Sequence, residues 1–231
     1  MLKISDITKF TLQDYPSKTA CIIWFAGCNL RCQYCHNAEF LEQDDGFLKE
    51  EDVLKFLNKR VGLFDGVVLS GGECSLGNDE VIDFIKKIKK LGFLVKIDTN
   101  GLNYNFVEYL INNKLIDFIA LDFKAMDLKF DFVTQTKNQF NTFLKTLKFV
   151  LNSDVDREIR TTIHIDLMDE NDINQIIDLL DDLNYDKTYF IQNFRNDNKE
   201  TLNKLPEQSR LLDFSRIKEP KHFKIAYRNF K

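Results

Sequence analysis

No stretch of this 231-residue chain approaches the run of about 18 apolar residues that a membrane-spanning helix needs, so no span is indicated. The opening residues MLKISDITKF have neither the apolar core nor the small-residue cleavage site of a secretion signal. Cysteine is scarce and bunched, five residues with three on one loop, which does not resemble the disulfide framework of a small secreted domain. A reducing cytoplasm is therefore the expected compartment. Positive charge is not in excess either: the net charge of −4 argues against nonspecific nucleic-acid binding as the main role. There is no low-complexity linker, and the only repeat is an alternation of strand-like and helix-like segments. What is present is 44% hydrophobic residues, enough for a sizeable core, and 29% charged residues for a solvated surface. That suits one domain, or one domain with a short appendage.

Residues 1–18 read as an N-terminal appendage, an alternating strand in KISDITKF followed by a turn at Gln13-Asp14-Tyr15-Pro16. From Thr19 the pattern changes to short apolar runs. The strands are TACIIWF (19–25), VVLS (67–70), FLVKID (93–98), DFIALDF (117–123), REIRTTI (157–163) and KTYFIQNF (187–194). A run apolar on both faces, as in 19–25, marks a buried parallel strand. Between them lie helices over 49–58, from a cap at Asn78-Asp79 to Gly92, and over 103–112, 138–151 and 171–183. Six β/α repeats within 19–198 predict a parallel sheet with covering helices, either a partly open barrel or a flat doubly wound sheet. The charged extension 199–231 ends in HFKIAYRNF, an expected edge strand covering the barrel opening, and carries no chemical signal.

The chain is organised around TACIIWFAGCNLRCQYCHN (19–37). Its strand runs into Ala26-Gly27, and Cys28, Cys32 and Cys35 follow at C-x3-C-x2-C spacing. So short a loop can fold three thiolates toward one point, and thiolates favour iron–sulfur clusters, Zn(II) or Cu(I). A cubane cluster ordinarily takes four cysteines. Only three lie within reach here, so a four-iron cluster on this loop keeps one iron open to a small molecule. The alternative is a structural zinc with His36 as the fourth ligand of a Cys3His set. Cys21, inside the strand, is expected in the core.

Each further candidate falls just after a predicted strand, the productive face of parallel β/α architectures. Gly71-Gly72-Glu73 follows the second strand, and two glycines permit a close backbone approach or positive φ. Cys74 beside them reads as a small buried residue. In Asp98-Thr99-Asn100-Gly101, Asp98 suits a cap or turn and Asn100-Gly101 is a turn signal. The oxygens of Thr99 and Asp122 suit a hard cation or polar ligand, and Lys124 suits a carboxylate. In Arg160-Thr161-Thr162, alternation turns inward either Arg160 and Thr162 or Thr161. His164 is expected to be neutral and packed, and Gln192-Asn193-Phe194 closes the sixth strand.

Cys28-x3-Cys32-x2-Cys35, with the aromatic Tyr34 before the last cysteine, resembles the signature of radical S-adenosyl-L-methionine (SAM) enzymes. The strings FTLQDYP (10–16) and GCNLRCQYCHN (27–37) resemble one family in particular, the activating proteins of anaerobic ribonucleoside-triphosphate reductase. The resemblance implies a single-domain, partly open (β/α)6 barrel whose three cysteines hold a 4Fe-4S cluster. It also implies that the amino and carboxylate groups of SAM bind the open iron. Gly71, Gly72 and Glu73 would then grip the SAM amino group. Thr99, Asp122 and Lys124 would surround its methionyl carboxylate and ribose beside a monovalent cation. Arg160 would approach the ribose or methionyl end, and Gln192 the adenine. Cys74 departs from the family pattern, in which proline is usual.

The implied activity is reductive cleavage of SAM to a 5′-deoxyadenosyl radical that generates a glycyl radical on a large partner enzyme, anaerobic ribonucleotide reductase. No side chain is expected to be catalytic beyond the cluster and SAM. A flavodoxin or ferredoxin would supply the electron, with no nucleic acid or membrane as partner. The alternatives are activation of another glycyl-radical enzyme such as pyruvate formate-lyase, and a radical SAM enzyme acting on a small molecule in modified-base precursor synthesis. A zinc-binding interaction module and a one-electron carrier are the readings from other classes.

Overall fold

A computed structural model describes residues 2–41, 43, 46–195 and 205–230. The first strand, β1 (Ile4–Thr11), pairs antiparallel with β2 (Ala20–Phe25), so the N-terminal segment is a hairpin closing on the first core strand. Beyond β2 each strand is parallel to the one before. β3 (Gly66–Gly71), β4 (Leu94–Thr99), β5 (Phe118–Asp122), β6 (Asp156–Ile163) and β7 (Thr188–Asn193) match the expected repeats. The expected C-terminal edge strand is present as β8 (Lys224–Arg228), which extends the sheet as a further parallel strand beside β7. The eight strands follow chain order, with β1 and β8 at the two edges, so the barrel is open. The boundary expected at 198/199 lies outside the described residues.

Apart from the short α1 (Ala38–Leu41), the connections carry amphipathic helices where the period predicts them. These are α2 (Glu50–Asn58), α3 (Asn78–Lys90), α4 (Tyr104–Asn112), α6 (Phe140–Leu151) and α7 (Glu170–Asp182). In α3 the expected Val81, Ile82, Ile85 and Ile88 are buried, with Phe84. Its cap differs from expectation: Gly77 occupies the N-cap and no side chain bonds there, because a 3-10 turn over Cys74–Gly77 runs straight into the helix. The helix α5 (Asp127–Thr134) is unexpected. It buries Phe130 and Val133 while leaving Leu128 and Phe132 exposed, so no single face is apolar.

One core lies between the outer face of the early strands and α2–α4, through Val67, Leu69, Val95, Ile97 and Ile119. A second joins Leu121, Ile159, Tyr189 and Ile191 to α5–α7. The inner face is divided. Ala20, Ile22 and Val68 pack with Tyr15 inside the barrel near β2 and β3. From β4 onward the inner face also carries charge, at Lys96, Asp98, Asp122, Glu158 and Arg160. Among the described residues no helix is long and apolar enough to cross a membrane.

Candidate functional site

The cysteine loop leaves β2 at Gly27, whose φ of +84° is the left-handed region that favours glycine. The loop has no regular secondary structure of its own, so other elements satisfy its backbone. Gly27 N donates to Phe40 O (2.8 Å), and Arg31 N and Gln33 N donate to Thr134 O (2.9 Å) and Val133 O (3.1 Å) at the end of α5. Leu30 and Tyr34 are buried beneath it. Cys28, Cys32 and Cys35 are free thiols. Burial pushes Cys28 up to about 12, with the Glu73 charge adding to it, and Cys32 up to about 11; Cys35 moves the same way.

The glycine pair after β3 serves this loop. A Cβ on Gly71 (φ +118°) would lie 2.4 Å from Phe25 N and O, and one on Gly72 would lie 2.0 Å from Gly27 O. Gly72 N donates to Phe25 O and Glu73 N to Gly27 O, each at 2.8 Å. Asn37, just past Cys35, returns a bond from Nδ2 to Gly71 O at 3.0 Å. The close approach that two glycines permit is therefore to the chain's own backbone. Glu73, 2% exposed, is equally committed. Its carboxylate accepts from Ser75 N (3.1 Å), Thr99 Oγ1 (2.9 Å) and Asn100 N (2.8 Å). Burial raises its pKa, and these donors pull it back.

An ion-pair ladder crosses the inner wall. Lys96 Nζ meets Asp98 Oδ1 at 2.6 Å, and Arg160 Nη1 meets Asp98 Oδ2 at 3.4 Å. Arg160 Nε bonds Asp122 Oδ1 at 2.8 Å, and Lys124 Nζ pairs with Asp122 Oδ2 at 3.0 Å. Below Arg160, Glu158 pairs with Arg228 of β8 at 3.1 Å. Burial works against ionising Asp122, but Arg160 and Lys124 reverse it and hold the carboxyl well below the carboxylate range. Asp98 is lowered in the same way, by Arg160 and Lys96. A monovalent cation between Asp98 and Asp122 would compete with the Arg160 guanidinium already there.

The cysteine loop, the segment after β3 and the Asp98, Asp122, Lys124 and Arg160 rungs of the ladder meet at one cavity of ≈ 250 Å³. It brings together Cys28, Cys32 and Cys35 with Gly71, Gly72, Glu73, Thr99, Asp122, Lys124, Arg160 and Gln192. The choice left open on β6 is resolved: Arg160 and Thr162 line the cavity. Thr161 is buried behind them, donating to Phe123 O and accepting from Tyr189 OH. Cys74 is outside it, 1% exposed, with Sγ 3.9 Å from Asp98 O. Cys21 is in the core, as expected. Asn37, Ser70 and Asn100 also line the cavity, and sequence reasoning passed over them. Asn100 carried a signal, its place at a strand end, that the turn reading absorbed.

The profile of the radical SAM superfamily matches residues 22–183. The chain belongs to this superfamily. Within it, this radical SAM protein is 38% identical over 197 residues to a provisionally named glycyl-radical enzyme activating enzyme of Methanocaldococcus jannaschii, covering 83% of this chain and 79% of that one. It is 35% identical over 155 residues to the pyruvate formate-lyase-activating enzyme of Clostridium pasteurianum, 64% of each chain. In fold it is similar to Streptococcus suis SuiB bound to its precursor peptide SuiA, with TM-score 0.63 and 18% identity over 80% of this chain and 42% of that one.

The superfamily uses a 4Fe-4S cluster and SAM, and the donor set here fits both. Among the described residues no fourth cysteine is on the cavity wall, so one iron of a cubane held by these three would lack a protein thiolate. The zinc alternative needs four donors around one ion. His36 is otherwise engaged, its ring stacked on Phe194 at 4.9 Å and its Nε2 accepting from Arg195 N at 3.4 Å.

Proposed function

We propose that this chain is a cytoplasmic activase that generates a glycyl radical on anaerobic ribonucleotide reductase, using an electron from a flavodoxin- or ferredoxin-type donor. The observation that carries this reading is the meeting of three loop thiols and a polar wall carrying both carboxylates and cations at one cavity. The archaeal relative supports activation of a glycyl-radical enzyme. The FTLQDYP and GCNLRCQYCHN strings support the reductase as partner, and the first of them places Asp14 on the cavity wall.

When bound, the cluster and SAM would supply the one-electron reductive cleavage and hydrogen abstraction that a glycyl-radical activase needs. The chain's part is to bind and orient. Cys28, Cys32 and Cys35 hold the cluster. Lys124, paired with Asp122 at 3.0 Å, would offer its ammonium to the methionyl carboxylate. Gly71, Gly72 and Glu73 shape the wall on the amino side, with Glu73 acting through Thr99 and Asn100. Arg160 holds Asp98 and Asp122 ionised, and Thr162 and Gln192 complete the polar lining on the β6–β7 side.

The test is anaerobic reconstitution with iron and sulfide, then dithionite and SAM. 5′-Deoxyadenosine is measured, and the glycyl radical is read by electron paramagnetic resonance. Radical on anaerobic ribonucleotide reductase but not on pyruvate formate-lyase supports the proposal, and the reverse reassigns the partner. Deoxyadenosine with no radical on either protein would point to a small-molecule substrate and sink the activase reading.

A further inference from the structure

Asn100, at the end of β4, is 4% exposed and tied on every side. Its main-chain N–H donates to Glu73 Oε2 at 2.8 Å, and its Oδ1 accepts from Leu102 N at 3.0 Å. That second bond assigns Oδ1 as acceptor and Nδ2 as donor. Nδ2 donates to Asn29 Oδ1 at 2.7 Å and stands 3.8 Å from Cys28 Sγ. One amide hydrogen serves Asn29, and the other faces sulfur. Leu30 N approaches the same sulfur at 3.4 Å. Among the described residues, Cys28 is the one loop cysteine whose sulfur meets a side-chain N–H from outside the loop.

Hydrogen bonds to cluster sulfurs are among the few levers a protein has on cluster potential. Donors facing a ligand sulfur favour the state with more negative charge. Reduction adds one electron from a low-potential one-electron donor and leaves the cluster one unit more negative. We propose that Asn100 is a positioning residue that raises the reduction potential of the cluster through Cys28, and so sets how readily an external donor reduces it. The proposal rests on the cluster reading above.

The test titrates the reduced-cluster paramagnetic signal against potential in full-length protein loaded anaerobically with iron and sulfide. Wild type, Asn100→Leu and Asn29→Ala are compared, with iron counted in each. Leucine keeps the volume and removes the N–H. The reduced-to-oxidised ratio at fixed potential is expected to fall several-fold, a tenfold fall corresponding to about 59 mV for a one-electron couple. Asn29→Ala frees the amide for sulfur, and its midpoint is expected at or above wild type. An unmoved midpoint in Asn100→Leu overturns the proposal. So does an equal drop in both variants, which assigns the effect to loop packing. If the leucine variant loses iron, Asn100→Ala is judged by the same criteria. A wild type that takes up no iron and sulfide overturns the cluster reading itself, whereas a loaded wild type with unmoved variants overturns the role of Asn100 alone.

Discussion

Removing the Glu73 carboxylate should damage the fold before it damages cofactor binding. Glu73→Ala strands three donors at once: Ser75 N, Thr99 Oγ1 and Asn100 N. A buried donor left without a partner costs about 1–3 kcal/mol. Water from the adjoining cavity relieves part of that, so a net loss of about 3–5 kcal/mol is expected, the range for breaking a buried charged group from its partners. Against a total stability of about 5–15 kcal/mol that is a large fraction. In urea, the iron-free variant should unfold about 1–2 M earlier at unchanged slope. Glu73→Gln keeps the shape and one acceptor oxygen but turns an NH2 toward a donor, so it should fall between the two. Iron content and SAM affinity should decline along with stability, since the same carboxylate ties β3 to β4 beside the cluster loop. A Glu73→Ala protein with the wild-type urea midpoint, full iron and weakened SAM binding would refute this reasoning and make the carboxylate a direct cofactor contact.

Gly72→Ala should cost about 1–3 kcal/mol or more and reduce iron retention, because its Cβ would sit 2.0 Å from Gly27 O and both atoms are anchored backbone; denaturation and iron analysis read both. Cys74→Ala should keep full iron, since Cys74 is off the cavity wall, whereas Ala at Cys28, Cys32 or Cys35 should lose iron; iron counts that do not separate the two groups would contradict the ligand set. Arg160→Met should make SAM binding respond to sodium or potassium at constant ionic strength, because the guanidinium between Asp98 and Asp122 is gone; wild type should show no such response. Glu170, buried under Arg210 at 2.6 Å, has its carboxyl pulled from 4.5 to about 2 by that hydrogen bond. A depressed carboxylate stabilises fully above its unfolded pKa and loses that stability as pH falls through the folded value. Wild type should therefore lose stability as pH drops from about 4.5 toward 2, and Glu170→Gln should lack this component.

The strands and amphipathic helices were legible because each carries a period set by burial on one or both faces. The three-thiol loop was legible because ligand spacing is local. What escaped is what depends on partners far along the chain. α5 has apolar residues on all sides and ends at Gln135 in the left-handed region rather than at a glycine, so it offers neither a face nor a stop signal. Lys96, Asp98, Asp122, Glu158 and Arg160 sit on strands as ordinary polar alternates, and only the pairing of β4, β5 and β6 makes them a ladder. Glu73 and the two glycines were found by position, but their bonds to Thr99, Asn100 and the cysteine loop are invisible until β2, β3 and β4 lie side by side.

The way the cysteine loop is fastened sets it apart from loops that a metal alone holds together. Its anchors, to Phe40, Val133, Thr134, Gly71 and Glu73, are all bonds between protein atoms. Small zinc-dependent domains stand in contrast, because there the metal is the folding energy and its loss unfolds the chain. In this chain the loop is fastened from three sides, by β3, α1 and α5, through main-chain and amide bonds that do not run through its thiols.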